Sequence, residues 1–305
     1  MKSNQLVSII MTCFNGDKYL KESIASIISQ TYKEWEVIFV DNNSTDQSKD
    51  IILSYNDNRI KYFKLTKTLN LGSVRNFAFS KCVGKYITFL DVDDYWDEQK
   101  LSKQLIKFNT NNKIDIVYGN YVKFSTNKHE KIKKKLFSGY CQQKIIESYI
   151  KGKPLTAWLT LMIKKKNIDN LVYPFDENLH ICSDFDLIIR LSNNCYFDYN
   201  EEFLSYYRSH STNESKDTTK EISELAYIIK KFAQDKKIFN FLKKNNFLDK
   251  ILLKNYINNK ILYKKANNDL NLSSIAYKIL YLFVKFSPHI LIKLLKLSYL
   301  KKLMN

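Results

Sequence analysis

Three aspartates stand directly behind an apolar run in the stretch FLDVDDYW (89–96). They are Asp91, Asp93 and Asp94. Carboxylates this close together repel one another, and a charge at the end of a buried strand is costly unless it is compensated. Capping of the next helix by Asp94 or Asp97 accounts for one of them. A divalent cation shared with a phosphate accounts for more, because hard cations prefer carboxylate oxygens.

Polar side chains also follow the first two strands that the sequence predicts. Thr12 and Asn15 come after the first strand, and Asp41 ends the second. An acid in such a position is often a turn former, which the following residues 42–45 favour. The alternative is that Asp41 accepts a hydrogen bond from a base or a ribose. The residues alone leave both interpretations open.

The segment NLGSVRNFAF (70–79) combines a glycine and an arginine near a predicted helix start. Gly72 allows a close backbone approach, and Arg75 could bind an anion with help from the helix dipole. A surface arginine is the simpler interpretation of Arg75 taken alone.

A second acidic segment, SDFDLIIR (183–190), opens another predicted helix. Either Asp184 or Asp186 could be the N-cap residue of that helix. The alternative for Asp184 is a carboxylate that faces an incoming hydroxyl group and acts as a general base.

Alternating strands and helices must position these residues. The patterns predict strands at 6–11, 35–41, 60–64 and 86–91, and helices at 16–30, 44–56 and 73–82. This alternation indicates an α/β fold with a Rossmann-like, mainly parallel sheet flanked by helices, and with ligands at the carboxyl ends of the strands. A GxGxxG motif after the first strand and a GxxxxGK[ST] loop are both missing, which argues against dinucleotide-binding and P-loop enzymes.

The pattern is less regular after residue 96. It predicts a helix at 97–109, a bent strand or strand pair at 115–124, a charged loop at 128–135, a buried element at 154–163, a helix from near Asp184 and a strand pair at 195–210. Beyond about residue 217 the sequence changes to lysine-rich helical repeats with apolar faces.

The basic charge belongs mainly to the C-terminal part of the chain. Residues 220–305 contain 18 basic and 5 acidic side chains, and so contribute +13 of the net charge of +18. The segment 275–305 fits an amphipathic helix on an anionic bilayer, or equally a helix packed on protein. Its lysines argue against a membrane span. The charge also prompts a nucleic-acid-binding alternative, although the segment lacks an ordered recognition motif.

The five cysteines of this 305-residue chain are scattered and have no metal-ligand spacing with the four histidines. This usage indicates a reducing cytosol rather than a disulfide scaffold. The apolar run near the N-terminus is too short for a signal peptide.

Five motifs together carry a resemblance to a known family. In chain order they are VSIIMTCFNGDKYLKESIASIISQTYKEWEVIFVDNNSTD, NLGSVRNFAF, GKYITFLDVDDYW, FDENLHICSDFDLIIRL and YYRSH. The set, which runs from Val7 to about His210, resembles an inverting family 2 glycosyltransferase of the GT-A fold, of the bacterial surface-polysaccharide or oligosaccharide type. The resemblance implies a catalytic domain at 1–217, with a nucleotide-sugar-binding part (1–95) and an acceptor-binding part (96–217). A basic helical region at 218–305 follows.

The resemblance also assigns roles to residues around the donor. It implies that Thr12 and Asn15 flank the nucleotide pocket and that Asp41 contacts the uracil of a UDP-sugar. Gly72 and Arg75 would lie close to the same donor. The family's usual VDDGSTD reads VDNNSTD in this chain, so the pattern departs from the family directly after Asp41.

The reacting groups follow from the remaining motifs. Asp91 and Asp93 match the family's DxD motif, with Asp93 as the direct ligand of a divalent cation, Mn²⁺ or Mg²⁺, and Asp91 nearer the ribose and the metal. His210 matches a position near the diphosphate and the metal, and Asp184 matches the catalytic base. The family's usual glutamate before that base is Ser183 in this chain.

The implied activity is transfer of a hexose or N-acetylhexosamine from a UDP-sugar to a hydroxyl group of an acceptor glycan. The acceptor would be linked to a lipid such as undecaprenyl diphosphate. The enzyme would be cytoplasmic and peripheral at the inner face of the plasma membrane, without a nucleic-acid partner. A catalytically inactive protein that binds sugar nucleotides is the alternative.

Overall fold

The structure is a computed structural model that describes residues 5–125, 128–133, 138–140, 144–145, 148, 157–213 and 218–232. The chain divides into two compact units, residues 1–217 and residues 218–305.

The first half of the first unit alternates regularly between strands and helices. Its elements are β1 (Val7–Cys13), α1 (Asp17–Ile28), β2 (Trp35–Asp41), α2 (Ser48–Ser54), β3 (Ile60–Lys64), α3 (Leu71–Lys81) and β4 (Tyr86–Phe89). The four strands pair in parallel in the order β3-β2-β1-β4. The predicted α/β alternation and the parallel sheet are therefore confirmed for this half.

The second half extends the same sheet with mostly antiparallel pairings and one parallel pair. Its elements are β5 (Tyr95–Trp96), α4 (Lys100–Thr110), β6 (Ile116–Ser125), β7 (Lys128–Ile132), a 3₁₀ turn (Trp158–Thr160), β8 (Met162–Lys164), α5 (Lys165–Asp169), α6 (Ser183–Ser192) and β9 (Phe197–Arg208). Within the described part of this unit, nine strands form one sheet in the order β3-β2-β1-β4-β8-β6-β9-β5, with β7 paired to β6. β8 is antiparallel to both β4 and β6, so the complete sheet is mixed.

The two faces of the sheet are covered by different helices because strand side chains alternate between the faces. Ile9 and Met11 of β1 lie in one apolar cluster with residues of α1, α2 and α4, whereas Ile10 lies in the other with residues of α3 and α6. The spacing of Leu20 and Ile24 buries one stripe of α1, as helical periodicity requires. Because helices cover both faces, we expect a ligand site at the carboxyl ends of the strands.

Three local predictions differ from the structure. Residues 128–132, predicted as part of a loop, form β7, because their backbone pairs with β6 despite the exposed charged side chains. The segment 195–210, predicted as a strand pair, contains one long strand, β9. The polar residues 200–202 form no turn. The neighbours Gly119 and Asn120 of β6 pair with Asn200 and Phe203, so β9 has extra residues and bulges at this point.

The third difference concerns α2, which begins at Ser48 rather than near residue 44. The backbone amide of Ser44 donates to Asp41 Oδ1 at 2.7 Å, and Ser44 Oγ accepts from the amide of Asn15 at 3.0 Å. These bonds hold residues 42–47 as a loop. Side chains of Ser, Asn and Asp can bond to nearby backbone groups and so compete with the hydrogen bonds of a helix.

The second unit is described over one helix, α7 (Thr218–Phe232), in which Glu224 and Ile228 are buried. The amphipathic segment predicted at 275–305 lies outside the described residues. Among the helices that are described, none has the length and apolar character needed to cross a bilayer.

Candidate active site

The three aspartates of the DxD segment occupy a turn at the carboxyl end of β4. The amide of Asp94 donates to the carbonyl of Asp91 at 3.1 Å, which closes the turn. Asp91 and Asp93 are partly exposed, whereas Asp94 is buried. Burial, followed by the charges of Asp93 and Asp91, raises the pKa of Asp94 well above its ordinary value. The turn thus separates two accessible carboxyl groups from one internal group.

Helix capping does not explain Asp94. Its Oδ1 accepts from the backbone amide of Arg208 at 2.8 Å, so it joins the turn to the end of β9. Asp97 makes a local bond before α4, where its Oδ1 accepts from the amide of Gln99 at 2.9 Å. The N-cap residue of α4 is Gln99, which has no side-chain cap bond, so neither Asp94 nor Asp97 is the cap of this helix.

His210 lies directly against Asp93. Its Nε2 is 2.9 Å from Asp93 Oδ2, although the two residues are separated by 117 positions. Pairing of β5 with β9 produces this contact, because β5 follows the aspartate turn and β9 leads into His210. The structure thus brings together two of the three predicted metal ligands.

Asn213 completes the same cluster and was not predicted from the sequence. Its Nδ2 donates to Asp93 Oδ2 at 3.2 Å and lies 3.0 Å from His210 Nε2, and its Oδ1 accepts from the amide of His210 at 2.6 Å. The side chain is nearly buried. Asn213 therefore fixes both the imidazole and the carboxylate, and its spacing of three residues from His210 is the sequence signal that was missed.

Arg208 is a second unpredicted residue of the site. Its Nε donates to the carbonyl of Asp93 at 2.8 Å, and its guanidinium forms an ion pair with Glu22 of α1. The same guanidinium lies 4.5 Å from the ring centroid of Tyr19 and 4.6 Å from that of Phe124. Cation–π contacts with two rings and a carboxylate partner stabilise a partly buried arginine. Arg208 thereby joins α1, β6 and the aspartate turn.

On the donor side, Asp41 is fully buried at the end of β2. Besides the Ser44 amide, it accepts from the Tyr62 hydroxyl at 2.8 Å, and burial together with this bond raises the pKa of Tyr62. The turn-forming interpretation is therefore confirmed. Contact of Asp41 with a nucleotide base stays a prediction.

Asn15 and Thr12 lie at the carboxyl end of β1, beside this loop. Asn15 is exposed and has a left-handed backbone (φ 52°), and its Oδ1 accepts from the amide of Thr45 at 2.9 Å. Thr12 is partly exposed. Parallel pairing of Thr12 with Val40 aligns the ends of β1 and β2. The predicted nucleotide residues of these two strands are therefore neighbours at one edge of the sheet.

Gly72 makes the close backbone approach that the sequence predicts, but its neighbour is the protein's own chain. A Cβ atom on Gly72 would lie 2.2 Å from the carbonyl oxygen of Asp176. The amide of Gly72 also donates to the carbonyl of Leu179 at 3.2 Å. The glycine is required for packing of α3 against the segment that precedes α6, and a nucleotide contact at Gly72 stays a prediction.

Arg75 is not a surface arginine, since its exposed fraction is 5%. Its Nη1 contacts the hydroxyl of Ser183, and its guanidinium carbon lies 4.4 Å from the ring centroid of Trp158. Trp158 in turn stacks on Phe89, with ring centroids 3.7 Å apart. These contacts connect the end of β4 with the start of α6. A donor contact by Arg75 stays a prediction.

The two acids of α6 have different roles. Asp186 is fully buried and pairs with Arg190 at 2.9 Å, one helical turn later. Asp184 is partly exposed in the first turn of the helix. The N-cap residue is Cys182, so neither acid is the cap. Of the two carboxyl groups, Asp184 is therefore the one that an acceptor could reach.

The side chains that could bind a metal ion fit a divalent cation that also binds phosphate. Among the residues that the structure describes, no three acidic, histidine or cysteine side chains form a cluster able to hold a metal ion alone. The predicted trio of Asp91, Asp93 and His210 is therefore not assembled, but Asp93 and His210 are adjacent. Mg²⁺ and similar cations often bind through one or two protein ligands and complete their shell with water and substrate phosphate. The Asp93–His210 pair suits that type of coordination.

Comparison with known proteins identifies the family. The family model described as glycosyl transferase family 2 matches residues 8–190. The chain belongs to glycosyl transferase family 2. It is therefore a glycosyltransferase, as the five motifs indicated.

Relatives of the chain include both uncharacterized and named glycosyltransferases. An uncharacterized glycosyltransferase of Methanocaldococcus jannaschii is 37% identical over 208 residues, which are 67% of this chain and 70% of the relative. WfgD of Escherichia coli, named as a UDP-Glc:α-D-GlcNAc-diphosphoundecaprenol β-1,3-glucosyltransferase, is 38% identical over 116 residues. That match covers 38% of this chain and less than half (46%) of WfgD.

Solved structures confirm the GT-A type of fold. TarS of Staphylococcus aureus (residues 1–349), solved in complex with UDP-GlcNAc, has a TM-score of 0.63 and 20% identity, and the match covers 80% of this chain and 72% of TarS. The mannosyltransferase PcManGT of Pyrobaculum calidifontis, solved with GDP-Man and Mn²⁺, has a TM-score of 0.60 and 14% identity. The match covers 95% of this chain and 83% of PcManGT. At these identities the likeness concerns the fold alone.

Proposed function

We propose that this glycosyltransferase moves a hexose or N-acetylhexosamine from a UDP-sugar to a hydroxyl group of a lipid-linked glycan, with inversion at the anomeric carbon. The observation that carries the proposal is the Asp93–His210 pair at the carboxyl end of β4, 2.9 Å apart. A chain of contacts through Phe89, Trp158 and Arg75 joins this region to the helix of Asp184. A diphosphate site and a carboxylate base are the two parts that such a transfer needs.

The departure of the nucleoside diphosphate is the first requirement. As the bond between C1 and the diphosphate oxygen breaks, its electron pair and negative charge go to the diphosphate. Asp93 and His210 would hold a divalent cation, which when bound supplies Lewis-acid stabilisation of that charge. Arg208 and Asn213 keep the pair in place, because they bond to the backbone and the side chain of Asp93. These bonds support a site that is arranged before the donor binds.

Activation of the acceptor is the second requirement. The acceptor oxygen forms the new bond to C1, and its proton passes to the carboxylate of Asp184. One displacement inverts the anomeric carbon, and no covalent sugar–enzyme intermediate is needed. Asp186 does not compete for this role, because it is buried and paired with Arg190.

The substrate classes rest on the relatives. WfgD is named for UDP-Glc and for a diphosphoundecaprenol-linked acceptor, and TarS was solved with UDP-GlcNAc. They support a UDP-sugar donor and an undecaprenyl-diphosphate-linked acceptor in the synthesis of a bacterial surface polysaccharide. PcManGT was solved with Mn²⁺, which supports a divalent cation.

A lipid-linked acceptor also supports a place at the inner face of the plasma membrane. The basic segment 275–305, outside the described residues, would then bind the surface of anionic lipids. We expect the full chain to sediment with vesicles that contain phosphatidylglycerol and not with neutral vesicles. Replacing Lys293 and Lys296 by Gln should weaken this binding, and equal sedimentation with both kinds of vesicle would contradict it.

A donor screen tests the proposed reaction. The full chain is incubated with GlcNAc-diphospholipid and with UDP-Glc, UDP-Gal, UDP-GlcNAc, UDP-GalNAc or GDP-Man, in Mn²⁺, Mg²⁺ or EDTA. We expect transfer from one UDP-sugar, only with metal, and a product of inverted configuration. Transfer from GDP-Man alone, or equal transfer in EDTA, would overturn the UDP or the metal part of the proposal. Asp93→Asn is the inactive control.

A further inference from the structure

The buried side chain of Arg75 ends at α6 rather than in open solvent. Its Nη1 donates a hydrogen bond to the hydroxyl of Ser183. Ser183 is fully buried and directly precedes Asp184 in the chain. The flat guanidinium lies on the ring of Trp158, which also packs edge-to-face on Phe175 with centroids 5.9 Å apart. Arg75 is therefore held by a ring on one side and by the first residue of α6 at its end.

Other residues of α3 contact the segment 173–183 that leads into α6. The amide of Leu71 donates to His180 Nδ1 at 3.2 Å. Asn76 makes two bonds with the backbone of Phe175, accepting from its amide at 2.9 Å and donating to its carbonyl at 3.0 Å. Together with the contacts of Gly72, these bonds fix the segment 173–183 along the first two turns of α3. The centre of the segment is thus anchored by α3.

The first turn of α6 is anchored on both sides of Asp184. Ser183 is held by Arg75, and Asp186 is held by Arg190. Arg190 also donates to the carbonyls of Tyr173 and Pro174, each at 2.7 Å, where the segment begins. A carboxylate between two fixed neighbours loses little freedom when it meets an acceptor, which is the benefit of preorganisation.

We propose that Arg75 is a positioning residue that acts on Asp184 through Ser183, and that it is not a ligand of the donor. The inference rests on the proposed function, because Asp184 is taken as the base. It reassigns Arg75 from the anion-binding role that the sequence indicates. The hydroxyl oxygen of Ser183 accepts the hydrogen bond from the guanidinium of Arg75.

Substitution of Arg75 separates the two roles. In Arg75→Met we expect kcat to fall about tenfold to a hundredfold, as small misplacements of reacting groups do. The Kd for UDP with Mn²⁺, measured by calorimetry, should stay within about twofold of wild type. Ser183→Ala should show a smaller fall of the same kind. Arg75→Lys should recover part of kcat, because an ammonium can bond to Ser183 but lacks the planar fork of arginine.

Two matched controls use the same changes elsewhere in the unit. Arg59→Met removes an arginine whose guanidinium carbon lies 3.6 Å from the ring centroid of Trp35 and which pairs with Asp57. Ser192→Ala removes a buried hydroxyl of the same helix, which donates to the carbonyl of Ile189. Both controls should leave kcat and the Kd for UDP unchanged.

Hydrogen–deuterium exchange reports on positioning without turnover. Amides of residues 176–190 should exchange faster in Arg75→Met and Ser183→Ala than in wild type, and not in the controls. Unchanged exchange there, or a tenfold or greater rise in the Kd for UDP with kcat retained, would overturn the inference. If Arg75→Met does not fold, Arg75→Lys and Ser183→Ala decide by the same readouts. A wild-type chain that transfers no sugar contradicts the proposed function, while UDP binding and exchange still test the role of Arg75.

Discussion

Asp93 and His210 meet at 2.9 Å across 117 residues of chain, and Asn213 contacts both. The pairing of β5 with β9 brings the aspartate turn next to the residues that follow β9. The aspartate turn therefore has its fixed partners at the end of β9, not on its own strand.

Removal of the Asp93 carboxylate should abolish metal-dependent transfer. We expect Asp93→Asn to lower kcat at least about a hundredfold, because an amide is a poor ligand for a hard cation and charge on the diphosphate is left unstabilised. Mn²⁺ binding in the presence of UDP, followed by electron paramagnetic resonance, should weaken in parallel. Asp97→Asn, directly after β5, is the control and should keep both properties. A Mn²⁺ affinity equal to that of wild type would exclude Asp93 as a ligand.

Loss of Asn213 should affect the metal requirement more than the chemistry. Asn213→Ala frees the His210 imidazole and Asp93 Oδ2 from a shared partner, so more Mn²⁺ should be needed for half-maximal activity, by about threefold to tenfold. At saturating Mn²⁺ we expect kcat to recover most of its value. Asn120→Ala, a buried amide of β6, is the control. A loss of kcat that excess Mn²⁺ does not restore would contradict a positioning role.

Lys100 should make the stability of the protein depend on alkaline pH. It is buried, contacts Thr88 Oγ1 and lies 3.8 Å from the Trp96 ring centroid. Burial lowers the pKa of its amine well below the ordinary 10.5. Between the folded and the unfolded pKa of this amine, the folded chain binds fewer protons than the unfolded chain, so the contribution of Lys100 to stability should rise as pH increases towards the unfolded pKa.

Lys100→Met removes this dependence. We expect the free energy of unfolding at pH 7 to rise by about 1–3 kcal/mol, because the cost of burying an amine, which Thr88 and the Trp96 ring offset only in part, is removed. The gain should shrink as pH approaches 10. Lys103→Met, on the same helix and with a side chain that is 35% exposed, is the control. Urea titrations from pH 6 to 10 measure the free energy of unfolding of both variants and of wild type. A difference between Lys100→Met and wild type that does not change with pH would refute the expectation.

Gly72→Ala should destabilise the protein although alanine favours helices. The new methyl group would lie 2.2 Å from the carbonyl oxygen of Asp176, so α3 and the segment 173–183 must separate. We expect a loss of about 1–3 kcal/mol in the free energy of unfolding, as overpacking typically causes. Ser73→Ala, the next residue of the helix, should cost less than about 0.5 kcal/mol. Equal stabilities of the two variants would show that the segment moves without strain.

Much of the fold follows from local patterns. The strands at 35–41 and 60–64 have the predicted limits, and the apolar stripe of α1 is buried where its spacing indicates. Such patterns report which face of an element is apolar, and a parallel α/β sheet then needs little else. The residue types of the site, at Asp93, Asp184 and His210, were recognised from motifs in the same way.

Other features have no local signal. β7 is charged and exposed, and it is a strand because its backbone pairs with β6. The burial of Arg75, the partners of Asp94 and the joint role of Arg208 and Asn213 each depend on residues more than a hundred positions away. Spacing along the chain carries no information on such contacts.

The sequence by itself therefore determined the family, the α/β alternation and the acids and histidine that can do chemistry, because these depend on residue type and short-range order. Only the tertiary structure decided which of them act together. It placed His210 on Asp93, left Asp184 accessible while pairing Asp186 with Arg190, and directed Arg75 to Ser183. These choices depend on how distant strands and helices pack, where a buried charge needs a partner whatever its distance in the chain.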